Sequence, residues 1–479
     1  MCLRGSRGAT PVTDIAADRR SAEITPSIEQ FGYRQELKRS LSLFDLVVYG
    51  LVFITPGAPI LTFGIVYNLS SGMVPLVYIV TLIAMLMTAL SYMQMSRLYP
   101  IAGSVYSYAG RTIGELPGFL AGWAILLDYI LFPTLNYVAF AIAVHAVVPD
   151  IPQALPIVVA LTINTIVGLS GIETTMRASI LCLIIVVTII AIFFAAATVA
   201  LLDGTGGVHL SATPFFDPQK FSPGVMFGAL AIAVSSFLGF DAISTLAEET
   251  KGGAATVGKA TLIALSLVGV LFIFEMYVPS LFVLGLAGFP PGSPTFEAYF
   301  NISETVGGPW LKFLLAVVAG VFACLPSALA GQVATARVIF SMARDGRLPR
   351  ALAHVDEKRK VPDRALLLVS AVTLAVGLML VAYLDFLVSI ISFGALLGYL
   401  LVHASVIVYH ARKRTDRLWW KRVLVPALGF LFIAYILVTI STNALIAGLS
   451  WLTIGVIVYG ISKLKRPDAF PPAGRLENP

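Results

Sequence analysis

Leu46-Val47-Val48-Tyr49-Gly50-Leu51-Val52-Phe53-Ile54 is an unbroken apolar run that ends on Thr55-Pro56-Gly57-Ala58-Pro59. Proline lacks an amide donor and its ring clashes with the preceding turn, so two prolines around a glycine break a helix. Apolar sequence resumes at Ile60, and the stretch from about 43 to 68 is long enough to cross roughly 30 Å of hydrocarbon. Amides and carbonyls freed at that depth cannot face lipid and must line a cavity inside protein. The stretch therefore predicts a discontinuous membrane span.

The rest of the chain supports this reading. Of 479 residues, 58% are hydrophobic and 12% charged, with a mean hydropathy of +0.90. Soluble chains carry roughly 25% charged residues, so a string of soluble domains is excluded. Twelve spans are predicted near 43–68, 73–97, 115–147, 153–171, 176–202, 223–248, 258–287, 308–340, 365–384, 386–409, 423–443 and 445–462. The connections are too short for an independent soluble domain. No GxxxxGK[ST] phosphate loop and no HExxH is present, so neither an ATP-driving module nor a membrane-embedded metalloenzyme is indicated. Cys2, Cys182 and Cys324 make no disulfide framework. They and the histidines lack metal-ligand spacing. His145 and His403, near span ends, read as satisfied interfacial residues. No cofactor and no metal are expected.

The net charge of +6 is a matter of topology. With the N-terminus in the cytoplasm, only Lys220 and Lys312 of the 32 Lys and Arg fall on the far side. That asymmetry is a strong positive-inside signal. It predicts both termini in the cytoplasm of a multi-pass cytoplasmic (inner) membrane protein and argues against a nucleic-acid partner. Residues 1–40 lack an apolar h-region and read as a cytoplasmic tail with a disordered start. Residues 41–465 read as one transmembrane domain and 466–479 as a cytoplasmic tail.

A second interruption lies five spans after the first. Span six reads Ala231-Ile232-Ala233-Val234-Ser235-Ser236-Phe237-Leu238-Gly239-Phe240-Asp241, with glycine and carboxylate among hydroxyls at mid-span. An odd offset gives spans 1–5 and 6–10 opposite orientations. Paired broken segments in inverted repeats point to a midplane site in secondary transporters. The repeats would cover about 41–202 and 223–410.

Three further stretches carry a family resemblance. Tyr99-Pro100-Ile101-Ala102-Gly103-Ser104-Val105-Tyr106-Ser107-Tyr108 resembles a P-x-A-G-S-x-Y-x-Y segment. Ser236-Phe237-Leu238-Gly239-Phe240-Asp241 is followed by Leu246-Ala247-Glu248-Glu249-Thr250. The third runs from Ala336-Arg337 to Met342-Ala343-Arg344-Asp345-Gly346-Arg347-Leu348-Pro349. Together they resemble the amino acid–polyamine–organocation transporter superfamily over about 33–465. With Leu126-Leu127-Asp128-Tyr129, the pattern is most similar to bacterial putrescine importers. The resemblance implies an all-α, twelve-helix, LeuT-like five-plus-five inverted repeat with two peripheral helices, at about 421–463. It also implies ion-coupled or exchange transport of an amino acid or amine. The chain departs from that group at Leu61, where those importers carry an acid, and at Ser235, where relatives carry a bulky aromatic. No lysine stands in span five, whose site-facing region holds Ala178, Ser179, Leu181 and Cys182.

Asp241 leads the candidates, because a mid-span carboxylate is costly unless paired or hydrated. It is read as binding a substrate ammonium or the coupling proton; the alternative is a structural acceptor at the start of a half-helix. Thr55, Pro56, Gly57 and Ala58 supply backbone for substrate at the first break, with Leu61 and Ser235 alongside. Ser236, Gly239 and the aromatic rings of Phe237 and Phe240 supply the second break. Tyr129 in span three joins them by resemblance; Asp128 reads as a paired structural charge. Glu275, in Leu271-Phe272-Ile273-Phe274-Glu275-Met276, is a second proton-coupling candidate. Glu248, Glu249, Arg344 and Asp345 are candidates for a cytoplasmic gate.

The expected function is a secondary active permease importing an amino acid or small amine or polyamine by alternating access. Protons are favoured over sodium as coupling ion. An amino acid/amine exchanger using a counter-solute is the alternative carrier, and a non-transporting nutrient sensor is the rival from another class. Expected partners are the small-molecule substrate, the coupling ion and membrane lipid.

Overall fold

The computed structural model describes residues 28–31, 34–147, 150–204, 207–291, 293–381, 384–413, 419–440 and 442–465. The expected disordered start at 1–27, Cys2 and the tail 466–479 lie outside the described residues, as do the side chains of His145 and Ala178.

The described residues are helical almost throughout. The helices are α1 (Leu43–Ile54), α2 (Ala58–Ser70), α3 (Val74–Leu98), α4 (Ser104–Thr112), α5 (Glu115–Val147), α6 (Ala154–Leu169), α7 (Ile172–Leu202) and α8 (Pro223–Ser235). A 3-10 segment, Phe240–Glu249, follows. Then come α9 (Ala254–Leu281), α10 (Ser293–Phe296), α11 (Ala298–Gly307), α12 (Pro309–Val317), α13 (Cys324–Arg344), α14 (Asp363–Leu380), α15 (Leu384–Arg412), α16 (Trp419–Val438) and α17 (Thr442–Lys465). Among the described residues 9 spans are long and apolar enough to cross a membrane, or 10 if the bent pair α1 and α2 counts as one. Shorter apolar helices occupy Ala154–Leu169 and Arg422–Val438. This is an all-α polytopic membrane protein.

Local chemistry explains the two interruptions. α1 opens on a capping box: Ser42 accepts from the Asp45 amide, and Asp45 Oδ2 accepts from the Ser42 amide at 2.8 Å. It ends at Thr55, forced to φ 66° just before Pro56, and α2 leaves at a bend of 47°. In span six α8 stops at Ser235, and Gly239 at φ 102° redirects the chain into the 3-10 segment. A Cβ on Gly239 would lie 1.9 Å from Phe53 Cδ1, so the two breaks meet at a contact only glycine permits. Span eight also departs from a plain helix: a π turn at Val318–Ala323 joins α12 to α13.

The interior is built by α5, α15 and α8 with its 3-10 continuation, whereas α7, α14 and α17 turn most of their surface outward. Outward Leu181, Ile184, Leu449 and Ile457 suit lipid, which is as apolar as they are. α1 packs on the 3-10 segment and on α9, while α2 packs on α8, so the halves of the two broken spans pair crosswise. His403 is fully buried in the seam of α15 and α3, sharing hydrogen bonds with Thr88 Oγ1 (3.1 Å) and Ser91 Oγ (2.9 Å). It is satisfied, but by helix packing rather than at an interface.

Candidate substrate site

Asp241 opens the 3-10 segment and is fully buried. Tyr129 of α5 donates to Asp241 Oδ2 at 2.5 Å, and Tyr399 of α15 donates to Oδ1 at 3.3 Å. Rings close the surroundings. Phe240 packs on Tyr399 (5.3 Å between centroids) and on Tyr92 (5.9 Å). Phe53, at the end of α1, lies 6.1 Å from Tyr129 and stacks on Phe132 at 4.8 Å. The carboxylate thus sits in an aromatic cage fed by five spans, its own included. Aromatic faces carry the negative side of a quadrupole and attract a cation at about 0.5–2 kcal/mol each, so the cage suits an ammonium group.

A separate hydroxyl cluster gathers at Ser236, ahead of Gly239 on the same broken span. Ser236 Oγ and Tyr78 OH are 3.0 Å apart, Tyr78 OH and Thr62 Oγ1 3.0 Å, and Thr62 Oγ1 and Ser236 Oγ 3.4 Å. This links α2, α3 and the second break. Phe237 packs above it, 5.1 Å from Phe272 and 6.0 Å from Tyr78. At the first break Ser327 of α13 donates to the Phe53 carbonyl at 2.8 Å, satisfying an acceptor the break has freed.

The sequence candidates therefore fall into three groups. Tyr129, Phe240 and Asp241 meet in the cage and Gly239 packs on Phe53, Ser236 and Phe237 belong to the hydroxyl cluster, and Thr55, Pro56, Gly57 and Ala58 form the other break. Ser235 does not project into the cluster: its hydroxyl bonds back to Ile232 O at 2.6 Å. Leu61 is 44% exposed. Asp128 is buried on α5 against the Gly394 backbone and makes no ion pair among the described residues, unlike the paired charge expected. Glu275 is fully buried one turn beyond Phe272.

The gate candidates meet at the other end of the 3-10 segment. Arg344 grips Glu248 through Nη1 to Oε2 (3.0 Å) and Nη2 to Oε1 (2.7 Å), while Glu248 Oε1 also accepts from the Ala102 amide at 3.0 Å. Glu249 and Arg337 form a second bidentate pair, both buried. Tyr106 donates to Asp345 Oδ2 at 2.7 Å. A strap from the N-terminal segment covers these pairs: the Leu41 amide donates to Glu249 O at 3.0 Å and the Lys251 amide to Leu41 O at 2.8 Å.

Tyr92, Tyr399, Tyr78, Thr62 and Phe53 were not singled out from the sequence. The signal for the tyrosines is the one that drew attention to Tyr129, a phenol within an apolar span that needs a partner.

A polytopic helical bundle with two broken spans joined at a polar, aromatic-walled centre defines a membrane carrier. Residues 46–461 match the family model described as amino acid permease. The chain belongs to that family, within the amino acid–polyamine–organocation superfamily, and is a multi-pass secondary transporter rather than an enzyme. It is 31% identical over 446 residues to the low-affinity putrescine importer PlaP of Escherichia coli K12, covering 91% of this chain and 95% of that protein. It is 25% identical over 473 residues to the branched-chain amino acid permease BcaP of Bacillus subtilis, covering 92% and 96%. It is 26% identical over 459 residues to the methylthioribose transporter of the same organism, covering 89% and 93%.

Proposed function

We propose that the chain imports a solute bearing one ammonium group, a small amine or an amino acid, across the cytoplasmic membrane, driven by a proton gradient. The observation that carries this reading is Asp241, a buried carboxylate set in an aromatic cage at a helix break. An incoming ammonium would replace or join the two phenol donors and gain the aromatic faces. With apolar Leu61 where putrescine importers carry an acid, a second ammonium has no matching partner there. The similarity to a putrescine importer and to an amino acid permease supports the amine-bearing class.

The transport cycle we infer is alternating access of a twelve-span, five-plus-five inverted repeat with two peripheral helices. The crosswise packing of α1 on the 3-10 segment and α2 on α8 supports it. The transmembrane domain would span 41–465, with both tails cytoplasmic, as the placement of the basic residues favours. On that orientation the Glu248–Arg344 and Glu249–Arg337 pairs hold the cytoplasmic side shut, and their parting opens it.

A radiolabelled competition panel in proteoliposomes tests the reading, with monoamines, putrescine, and basic, aromatic and small neutral amino acids, each with and without a pH gradient. Monoamines or amino acids are expected to compete, and uptake to follow the gradient. Strong inhibition by low putrescine would overturn the single-ammonium assignment. Uptake that requires internal product would replace proton symport with exchange, and binding without flux would mark a sensor.

A further inference from the structure

Three carboxyl groups, Asp128, Asp241 and Glu275, lie buried in the bundle without an ion pair among the described residues, and the fold treats the last two differently. Asp241 receives two phenol donors. Glu275 receives none: it is fully buried on α9, and neither oxygen has a hydrogen-bond partner among the described residues. Phe272, one turn away on the same face, touches both Phe237 and Tyr78, so Glu275 adjoins the hydroxyl cluster. Tyr78 of α3 and Tyr299 of α11 are the titratable groups within its electrostatic reach.

Among the described residues the other elements packed on α9 send it no cation, and Arg97 of α3 sits in the last turn of that helix, far from Tyr78. On α1, Tyr49 donates to Ala330 O and Asp45 serves the helix cap. On α2, Tyr67 donates to Val283 O and Leu286 O. In the 3-10 segment, Asp241 is held by tyrosines, and Glu248 and Glu249 by arginines.

A cover seals this region on the side opposite the ion pairs. Asn68 of α2 and Phe289 exchange two hydrogen bonds, at 2.9 and 2.8 Å. Thr295 O of α10 lies where a Cβ on Gly64 would come within 2.1 Å, and Tyr299 sets its ring edge on Phe63 at 5.9 Å. Tyr299 also packs on Phe193 of α7 at 5.1 Å.

We propose that Glu275 takes up the coupling proton beneath the α10–α11 cover, as a site separate from the carboxylate that meets the substrate. This rests on the proton-driven import proposed above and assigns its coupling group. With the cover raised, a Glu275 carboxylate oxygen accepts one proton from the outer bath and becomes a neutral carboxylic acid. Burying an unpartnered charge is prohibitive, while burying a neutral acid is not, so the cover closes over the protonated form. When the cytoplasmic pairs part, the same oxygen releases the proton inward and the carboxylate is restored, one proton per cycle.

The test uses the full chain in proteoliposomes, with radiolabelled amino acid or amine identified by the competition panel and the membrane potential clamped at zero. One proton per cycle sustains about tenfold accumulation for each pH unit imposed. E275Q is expected to equilibrate the solute without accumulating it and to retain counterflow that no longer varies with pH, while E275D restores pH-driven accumulation. Wild-type accumulation by E275Q would overturn the assignment, as would loss of counterflow and accumulation together in both variants. Absence of pH-driven accumulation in the unsubstituted protein would overturn the proton-import reading itself, and with it this one.

Discussion

Tyr129 and Asp241 are joined by the shortest hydrogen bond of the central cage, 2.5 Å from phenol to carboxylate, reaching from α5 to the start of the 3-10 segment. The contact ties a continuous helix to the 3-10 half of a broken span, and it orients the carboxylate that we assign to the substrate ammonium.

Removing that donor tests its role. A hydrogen bond to a charged group contributes roughly 1.5–3 kcal/mol, so Tyr129→Phe should raise the KM for uptake about tenfold or more. Tyr399→Phe, which removes a 3.3 Å contact, should have a smaller effect. Uptake kinetics normalised to the amount of protein in the membrane check both.

The buried pair of Glu249 and Arg337 gives a stability prediction. Taking away one partner of a buried pair leaves an uncompensated charge and costs about 3–5 kcal/mol, whereas replacing both with apolar residues is often neutral. Arg337→Met should therefore lower the thermal midpoint in detergent sharply. The double variant Arg337→Met with Glu249→Leu should recover most of the loss.

Leu41 and Thr250 pair as parallel backbone at the strap. In a background without Cys2, Cys182 and Cys324, Leu41→Cys with Thr250→Cys should cross-link on oxidation and stop uptake, with reductant restoring it. Undiminished uptake by the cross-linked protein would show that the strap does not need to move.

Gly239 combines φ 102° with direct contact to Phe53. Gly239→Ala should abolish uptake by prising the two breaks apart. Phe53→Ala in the same chain should relieve the clash but not the backbone strain, so recovery should be partial. Uptake assays on the single and double variants measure the difference.

Much of this was legible in the sequence because membrane chemistry leaves coarse marks. The prolines at 56 and 59 announce the first break, and Gly239 with Asp241 announces the second. Glu248, Glu249, Arg344 and Asp345 stand out as charges flanking spans, although the choice of partners, Arg337 for Glu249 and Arg344 for Glu248, emerges only from the fold. Tyr399 and Tyr92 join Asp241 from helices far along the chain, and a span that is apolar on every face carries no periodicity to say which residue points inward. The π turn in span eight and the 3-10 course after Gly239 were equally hidden, since backbone hydrogen-bond register follows tertiary packing rather than local composition.

The central claim is that the Asp241 carboxylate anchors the substrate's ammonium. Counterflow of the radiolabelled solute by Asp241→Asn, in proteoliposomes matched for protein content, tests it most directly, because counterflow needs binding and movement but no proton gradient. The account predicts a loss of at least about 10–100-fold, the range expected when a charge-assisted hydrogen bond is removed. Counterflow at the unsubstituted rate would contradict it.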